Sequence, residues 1–404
     1  MRLTPRTLDQ INSPIDTTYA LLAQRRGQRG LLDLAQAAPP YPTAPSVVEH
    51  IVSVARDPHG GDYVGRAGLP HLREAFAAEL SRDYRGDVRP EHVLVTAGCN
   101  QAFCLVMSAL ACPGDEVILP LPYYFNHDMW LRMEGVIPVH LEPGPGQAPT
   151  ADAAEALLTS RTRAIVLVSP GNPTGVTTSP AEIADFAALA ARHGIALVLD
   201  ETYRSFRGTD DPPHGLFADA AWPETVVSLH SFSKDLAIPG YRVGAVVASS
   251  RLNREVMKLL DCVAICAPRV GQEAAWAGLT GAREWRKARA QEIVAKRQWF
   301  LTCMAGRPGG FEVLSSGGFF GWVRHPFHDR STEEVVHDLV VEHDTLVMPG
   351  TAFLPDDRGT VRVSFGNLDR AGLTDFAGRL AVAGGQAATT SRIRARPAVT
   401  RRAV

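Results

Sequence analysis

The stretch Ser231-Phe232-Ser233-Lys234 follows an apolar run typical of a buried strand, Val226-Val227-Ser228-Leu229, and precedes Ile238-Pro239-Gly240-Tyr241-Arg242-Val243-Gly244. A lysine that attacks a carbonyl group needs a fixed position and partial desolvation, which lowers its pKa. The hydroxyls beside Lys234, together with Arg242, have the chemistry to hold a phosphate group. The stretch therefore indicates either a reactive lysine beside an anion site or a solvated lysine in a loop.

Short apolar strands alternate with helices through the middle of the chain. The predicted strands include residues 92–96, 116–119, 164–168 and 195–199. This alternation predicts an α/β fold with a mostly parallel, twisted sheet covered by helices on both faces. Ligands bind at the carboxyl ends of the strands in such sheets. Asn172, Asp200 and Lys234 all follow predicted strands, so we expect them to meet in one site.

Three further loops carry candidate binding residues. Gly98-Cys99-Asn100 joins a predicted strand to a helix, and a turn of this kind offers free backbone N–H groups to an anion. Tyr124 lies in an aromatic loop, which either stacks a ring on a flat ligand or packs its own aromatics. Tyr63 lies in a glycine-rich loop that precedes a helix with Pro70 in its first turn.

The pattern changes from about residue 271 to a smaller α+β unit. It predicts a charged helix over 282–305, a strand with a glycine bend over 314–322, a strand over 360–365, and a helix over 370–383 ended by Gly384-Gly385. Alternation in the second strand puts Val361 and Val363 on one face and Arg362 on the other. We therefore expect the valines to pack inward and Arg362 to point at a cleft.

These changes in pattern divide the chain into four parts. We predict an N-terminal arm (1–45) that contributes to the small domain and the pocket, a large domain (46–270), a small domain (271–385) and a tail (386–404). The tail is basic, with Arg392, Arg394, Arg396, Arg401 and Arg402, and we expect it to be disordered.

Composition excludes several classes of protein. The 404 residues carry a formal charge of −2, which argues against nucleic-acid or membrane-surface partners. No apolar run reaches membrane-spanning length, and the N-terminus has no signal-peptide core, which predicts a cytoplasmic protein. The six cysteines form no CxxC pair, so we expect reduced thiols and no metal site.

In their order along the chain, these motifs resemble the class I and II aminotransferases, which are fold-type I pyridoxal-phosphate enzymes. The resemblance extends from Leu32 to about Ala383. It rests on Tyr63 with Gly68, Gly98-Cys99-Asn100, Tyr124, Asn172-Pro173-Thr174-Gly175, Asp200 with Tyr203, Ser231-Phe232-Ser233-Lys234, Arg242 and Arg362. It implies a ping-pong transfer of an amino group from an L-amino acid to a 2-keto acid, with pyridoxal 5′-phosphate as cofactor.

The resemblance also implies how the cofactor is held. Lys234 would form a Schiff base with the cofactor aldehyde and move the proton, and Asp200 would pair with the pyridinium nitrogen. Asn172 and Tyr203 would hydrogen-bond the ring O3′, and Tyr124 would stack on the ring. The phosphate would be held by Gly98, Cys99, Asn100, Ser231, Ser233 and Arg242.

Substrate and partner follow from the same resemblance. Arg362 would bind the substrate α-carboxylate through a bidentate fork, with Asn172 and Ala38 beside it. Tyr63 would reach the phosphate in the neighbouring subunit, which implies a homodimer with shared active sites.

The chain departs from the family pattern at three places. The segment Ala37-Ala38-Pro39 stands where the family often has a glycine. Asp235 follows the lysine where a small or neutral residue is commoner, and we expect this acid to raise the pKa of the lysine. No second arginine clearly marks a dicarboxylate substrate, although Arg269 is nearby.

Two alternative functions share part of this pattern. A β-lyase or a cyclising synthase acting on an amino acid uses the same fold and cofactor, so it stays open. A ligand-sensing domain of a transcription regulator would need a DNA-binding domain, for which the segment before Leu32 is too short.

Overall fold

The structure is a computed structural model that describes residues 1–144, 146 and 148–394, with the backbone alone described for 386–394. Its largest element is a seven-stranded sheet. Across the sheet the strands are β2 (Val93–Thr96), β8 (Gly244–Val247), β7 (Val226–Ser231), β6 (Ala196–Asp200), β5 (Thr162–Val168), β3 (Glu116–Pro120) and β4 (Ile137–Leu141).

The sheet is mostly parallel. Within it, β8 runs antiparallel to both β7 and β2, and the pairs among β7, β6, β5, β3 and β4 are parallel. Successive residues of β6 enter different cores, because side chains alternate between the two faces of a strand. Leu197 and Leu199 join one core and Val198 joins the other. The predicted parallel sheet with both faces buried is therefore confirmed.

Helices cover both faces of this sheet. One face carries α3 (Pro45–Arg56), α4 (Pro70–Tyr84), α7 (Ala151–Glu155), α8 (Pro180–His193) and α10 (Arg269–Gly281). The other face carries α5 (Cys99–Leu110), α6 (Phe125–Met133) and α9 (Ser250–Ala264). No helix in the described part of the chain is both long enough and apolar enough to cross a membrane.

A second, smaller sheet forms the rest of the fold. Its four strands are antiparallel and lie in the order β12 (Met348–Pro349), β13 (Thr360–Val363), β10 (Phe320–Arg324) and β9 (Glu312–Gly317). Its core also takes side chains from α11 (Arg283–Met304), α12 (Thr332–Val341) and α13 (Arg370–Arg394). Val361 and Val363 of β13 are buried in this core, as the alternation predicts.

The N-terminal segment packs on this smaller core. It contains α1 (Pro5–Leu8), α2 (Pro14–Ala20) and β1 (Leu32–Asp33), and β1 pairs in parallel with β11 (Thr345–Leu346). Leu34, Ala35 and Ala37 are buried among the small-sheet residues. This packing supports our proposal that residues 1–45 act as an arm of the small domain.

Two glycines form a direct contact between the loop after β5 and the end of β9. A Cβ added to Gly175 would lie 2.2 Å from the Gly317 nitrogen, and one added to Gly317 would lie 2.1 Å from the Gly175 oxygen. Next to them, the Ser315 hydroxyl donates to the Thr174 carbonyl oxygen at 2.9 Å. The two sheets therefore meet here backbone against backbone.

Helix α10 spans the predicted domain boundary at residue 271 and buries Ala274 and Ala275 in the large-sheet core. We therefore propose that the small domain begins with α11.

The last helix, α13, continues to Arg394 and does not end at Gly384-Gly385 as predicted. Gly384 is explained by close packing, since a Cβ there would lie 2.0 Å from the Gly309 oxygen. The tail from residue 386 was expected to be disordered, but its first nine residues are helical, and residues 395–404 lie outside the described part of the chain.

Candidate active site

The predicted site residues converge on a cavity of about 400 Å³ at the carboxyl ends of the large-sheet strands. Asp200 and Ser231 are the last residues of β6 and β7, and Cys99 begins the helix that follows β2. The predicted residues that line the cavity are Cys99, Asn100, Tyr124, Asn172, Asp200, Tyr203, Ser231, Ser233, Lys234, Arg242 and Arg362. Asn172, Asp200 and Lys234, which were expected to meet because each follows a predicted strand, all line this cavity.

Lys234 lies in a tight turn immediately after β7. The Ile238 N–H donates to the Ser233 carbonyl at 3.1 Å and fixes this turn. The Lys234 amine donates to the Ala37 carbonyl oxygen. Burial, with the positive charges of Arg362 and Arg242, lowers the pKa of the Lys234 amine to about 8. A large fraction of this amine is therefore neutral near pH 8, which suits a nucleophile or a base.

Asp200 is a buried carboxylate that remains ionised. Burial alone would raise its pKa, but His127 and Thr202 lower it by hydrogen bonding and, for His127, by charge. His127 Nε2 lies 3.5 Å from Asp200 Oδ2, and the Thr202 N–H donates to Oδ1 at 3.0 Å. The His127 ring stacks on Phe103 with centroids 3.8 Å apart. The site thus holds a negative charge in a fixed orientation.

One end of the cavity is suited to an anion. Gly98 has φ of +90° and precedes the N-terminus of α5, where backbone N–H groups are unpaired. A Cβ at Gly98 would lie 2.4 Å from Arg242 Nη2, so a side chain there would collide with the guanidinium. Ser231 and Ser233 add their hydroxyls to the same lining. Positive charge, hydroxyls and a helix N-terminus therefore meet at this end.

Two tyrosines line the cavity between this end and the small sheet. Burial raises the pKa of both Tyr124 and Tyr203, so both keep their protons at neutral pH. The Tyr124 hydroxyl accepts a hydrogen bond from Asn126 Nδ2 at 2.9 Å. Tyr203 packs edge-on against Phe320 with centroids 5.0 Å apart. Both tyrosines are therefore positioned by neighbouring side chains and line the cavity.

Arg362 reaches the cavity from β13. Its Nη1 donates to Asn172 Oδ1 at 2.7 Å, and its Nη2 donates to the Ala35 carbonyl oxygen. The guanidinium lies 4.8 Å from the ring centroids of both Phe320 and Phe353. Its Nε has no hydrogen-bond partner among the described residues. Burial lowers the pKa of Arg362 to about 10, so the group stays charged at neutral pH.

Three predicted residues do not line the cavity. Gly98 contacts Arg242, which does line the cavity. Tyr63 is 80% exposed on its loop. Ala38 is also exposed and outside the cavity lining, and its N–H donates to Asn367 Oδ1 at 3.1 Å, so its role in substrate binding stays a prediction. The neighbouring Ala37 lines the cavity instead, and its carbonyl oxygen accepts a hydrogen bond from the Lys234 amine.

The expectation for Asp235 is wrong. Its carboxylate turns away from Lys234 and accepts from Arg286 Nε at 2.8 Å, and the pKa of Lys234 is lowered rather than raised. Arg269 lies outside the cavity lining, and its Nη1 donates to the His59 carbonyl at 2.7 Å.

Sequence reasoning missed several cavity residues. Those that line it without having been predicted are Ile15, Gln36, Ala37, Phe125, Val168, Thr202 and Pro239. His127, which contacts Asp200, lies in the first turn of α6, and its polar side chain close after an aromatic loop was a usable signal. Ile15 comes from α2, where no local pattern indicates that it reaches the site.

Known proteins resemble this chain along most of its length. The sequence profile described as aminotransferase class I and II matches residues 29–380. The aromatic aminotransferase ISS1 of Arabidopsis thaliana is 30% identical over 361 residues, covering 86% of this chain and 88% of the plant protein. The arginine–pyruvate transaminase AruH of Pseudomonas aeruginosa is 29% identical over 354 residues, covering 86% of this chain and 88% of that protein.

A solved structure extends the likeness to the whole fold. The aspartate aminotransferase of Thermus thermophilus, solved with maleate, superposes with a TM-score of 0.86 at 27% identity. The superposition covers 95% of this chain and all of that chain (100%). A profile match over most of the residues, together with this fold, means that the chain belongs to the class I and II aminotransferases.

Proposed function

We propose that this aminotransferase moves an amino group from an L-amino acid to a 2-keto acid in a ping-pong reaction, with Lys234 as the covalent anchor of the cofactor and as the proton carrier. One observation carries this proposal. The cavity contains a buried amine with a lowered pKa, Lys234, and a buried guanidinium, Arg362, that has no carboxylate within ion-pair distance among the described residues. An amino acid carries the carboxylate that this guanidinium lacks.

Enzymes of this family depend on pyridoxal phosphate, and so does this protein. The residues present fit that group. The cavity end formed by Gly98, Arg242 and the two serines has the positive charge and small volume that a phosphate needs. Asp200 is ionised in a buried position and can hold a protonated ring nitrogen. When bound, the cofactor supplies an electron sink for the electrons released at the substrate Cα.

The remaining ring contacts are assigned to residues that the cavity already orients. We assign Tyr203 and Asn172 to the ring hydroxyl, because both line the cavity near Asp200 and carry hydrogen-bonding groups. Tyr124 is assigned to one ring face, because it is an aromatic residue that lines the cavity and its hydroxyl is held by Asn126. Cys99 contributes its backbone N–H, since burial raises the pKa of its thiol and keeps it protonated.

Lys234 can act as both base and acid. Because its pKa is about 8, the amine can take up the proton of the substrate Cα as a base and release a proton to another acceptor atom as an acid, at nearly equal cost near neutral pH. Arg362 holds the α-carboxylate through its forked donors, so the Cα–H bond keeps one orientation toward the amine. The two residues come from different sheets: Lys234 follows β7 of the large sheet, and Arg362 lies within β13 of the small sheet.

The alternative of a β-lyase or cyclising synthase has no specific support here. The relatives named above are aminotransferases acting on aromatic, arginine and aspartate substrates by their names. Because these substrates differ in their side chains, the relatives do not identify the amino donor of this protein.

The function is tested by a half-reaction. A donor amino acid alone should convert the cofactor absorbance of the enzyme to that of its amine form, with release of one 2-keto acid per site. Borohydride reduction of the resting enzyme and peptide mapping should place the cofactor on Lys234. A label on Lys258 or Lys296 would contradict the assignment, and release of ammonia with a keto acid would favour the lyase.

We also propose a homodimer with shared active sites. Tyr63 is 80% exposed in one chain although it lies in a glycine-rich loop, which is consistent with a role in the neighbouring subunit's site. Sedimentation of the holoenzyme should give about twice the chain mass of 43.6 kDa. An active monomer would contradict this proposal. Both the dimer and the cytoplasmic location stay predictions.

A further inference from the structure

A buried network of four charged side chains lies behind Lys234. We call Glu79, Arg204, Asp235 and Arg286 the support network. Arg286 donates from Nε to Asp235 at 2.8 Å and from Nη1 and Nη2 to the two oxygens of Glu79 at 2.6 and 2.8 Å. Arg204 donates from Nη2 to the same Glu79 carboxylate. No side chain of the four is more than 12% exposed.

The network is charge-balanced. Burial alone would raise the pKa of Glu79, but hydrogen bonds from Arg286 and the charge of Arg204 lower it to about 2. Burial alone would lower the pKa of Arg286, but Asp235 and Glu79 raise it. Both arginines therefore find their counter-charges inside the network, which needs no ligand to complete it.

Two members of the network are peptide neighbours of active-site residues. Arg204 follows Tyr203, and Asp235 follows Lys234. The other two come from helices, Glu79 from α4 and Arg286 from the first turn of α11. None of the four lines the active-site cavity; all line a separate cavity of about 360 Å³ on the other side of these loops. The network thus ties two strand-end loops to two helices from behind.

An aromatic contact continues this attachment. The Arg204 guanidinium lies 5.8 Å from the ring centroid of Phe76, and Phe76 packs edge-on against Phe232 at 4.9 Å. Phe232 stands two residues before Lys234, and its carbonyl accepts from the Leu236 N–H at 3.2 Å. The turn that presents Lys234 is therefore held on both sides of the lysine.

We propose that the support network is a positioning device, which fixes the backbone beside Tyr203 and Lys234 and so sets where the Lys234 amine stands during proton transfer. This inference rests on the proposed transamination. A buried ion network stabilises a fold no better than apolar residues of the same volume. Its distinctive contribution is geometric, because a guanidinium bound through several N–H groups accepts only one arrangement of its partners. Glu79, Arg204, Asp235 and Arg286 are positioning residues and do not touch substrate.

The first arm of the test measures a rate that does not depend on how much enzyme is active. Asp235→Asn removes one charge at constant volume, and Arg286→Lys keeps the charge but loses the fork. Each should lower the single-turnover rate constant of the half-reaction by about 10- to 100-fold, as a displacement near 1 Å does. The amino-acid dissociation constant should stay within about twofold of wild type, because Arg362 lies outside the network.

Lys287→Met is the matched control. Lys287 is the next residue on α11 and lines the same rear cavity, but its pair with Asp210 is exposed, at 55% and 92%. The variant removes one positive charge without touching the support network, so its rate constant should equal that of wild type.

The second arm follows the turn itself in cofactor-free protein. Amide hydrogen exchange in the peptide that contains Leu236 and Ile238 should be faster in Asp235→Asn and unchanged in Lys287→Met. Faster exchange with an unchanged rate constant, or a weaker substrate affinity with an unchanged rate constant, would overturn the positioning role. Wild-type behaviour in both arms would also overturn it. If wild-type enzyme fails to transaminate, the proposed function fails, and the exchange arm still decides whether the network holds the turn.

Discussion

Two buried arginines near Lys234, Arg286 and Arg362, have opposite surroundings. Arg286 lies between the carboxylates of Glu79 and Asp235. Arg362 meets an amide oxygen, a backbone carbonyl and two aromatic faces, with no carboxylate within ion-pair distance in the described part of the chain. Burial favours the neutral form of both. At Arg286 the two carboxylates have a larger effect than burial, so its pKa rises. At Arg362 burial has the larger effect, so its pKa falls to about 10.

The difference shows how burial of a charge can serve two purposes. A guanidinium that already binds carboxylates, such as Arg286, needs no further partner and fixes the backbone of the residues that carry those carboxylates. A guanidinium without one has already lost its water, so an arriving carboxylate gains a charge-assisted fork without paying again for that desolvation. Arg286 is therefore interpreted as part of the scaffold and Arg362 as part of the binding site.

The largest expected effect separates the two arginines by function. Arg362→Lys keeps a charge but loses the fork, so catalytic efficiency should fall by roughly 2–5 kcal/mol of transition-state stabilisation, as for one partner of a desolvated charged pair. The half-reaction rate against amino-acid concentration measures this. Cofactor absorbance of the resting variant should be that of wild type. Normal saturation with a good donor would show that the carboxylate binds elsewhere.

The next effect concerns stability rather than binding. Glu79 has its pKa lowered from 4.5 to about 2, which corresponds to about 3 kcal/mol of folding free energy at neutral pH. Because the folded pKa lies below the unfolded one, this contribution is complete above about pH 4.5 and is lost as the pH falls toward 2. Glu79→Gln should therefore lower the free energy of unfolding at pH 7, and the difference from wild type should shrink between about pH 4.5 and 2.

Urea unfolding of wild type and variant at several pH values measures this difference. Glu255→Gln is a suitable control, since Glu255 pairs with Lys258 on the exposed face of α9. A constant Glu79 effect from pH 7 to pH 3 would mean that the lost stability comes from packing and not from the charge.

The smallest effect is a shift in the pKa of Lys234. Arg362 contributes to lowering that pKa to about 8, so Arg362→Met should move the titration of the amine to higher pH. Arg286→Lys should leave it unchanged, because the support network retains its charge. The rate at which an amine-reactive reagent labels Lys234 in cofactor-free protein, read by peptide mass spectrometry against pH, gives the midpoint. Equal midpoints in wild type and Arg362→Met would contradict the electrostatic coupling.

The sheet and most of the site could be predicted because their signals are local. A buried parallel strand is apolar throughout, and the polar residue that ends it lies at the ligand-binding edge. Asn172, Asp200 and Lys234 were identified in this way. The alternation of Val361, Arg362 and Val363 fixed which side chain of β13 faces the cavity.

The differences between prediction and structure come from contacts between residues distant in sequence. Ala38 is bound outside the cavity by Asn367, 329 residues further along the chain, whose Oδ1 accepts from the Ala38 N–H. Asp235 adjoins Lys234 in sequence, but its partner Arg286 lies 51 residues further on. Gly384 resembles a helix stop, yet it is required by the nearby backbone of Gly309. No local pattern reports such partners.

The contact between Gly175 and Gly317 limits how this enzyme can be redesigned. Neither residue lines the active-site cavity, so a library aimed at new amino donors would treat both positions as free. A methyl group on either would lie about 2 Å from the other's backbone, and φ at Gly175 is +70°. Any library that varies the loop beside Asn172 should therefore keep both glycines, since the loop can change its chemistry only while its distance from β9 is preserved.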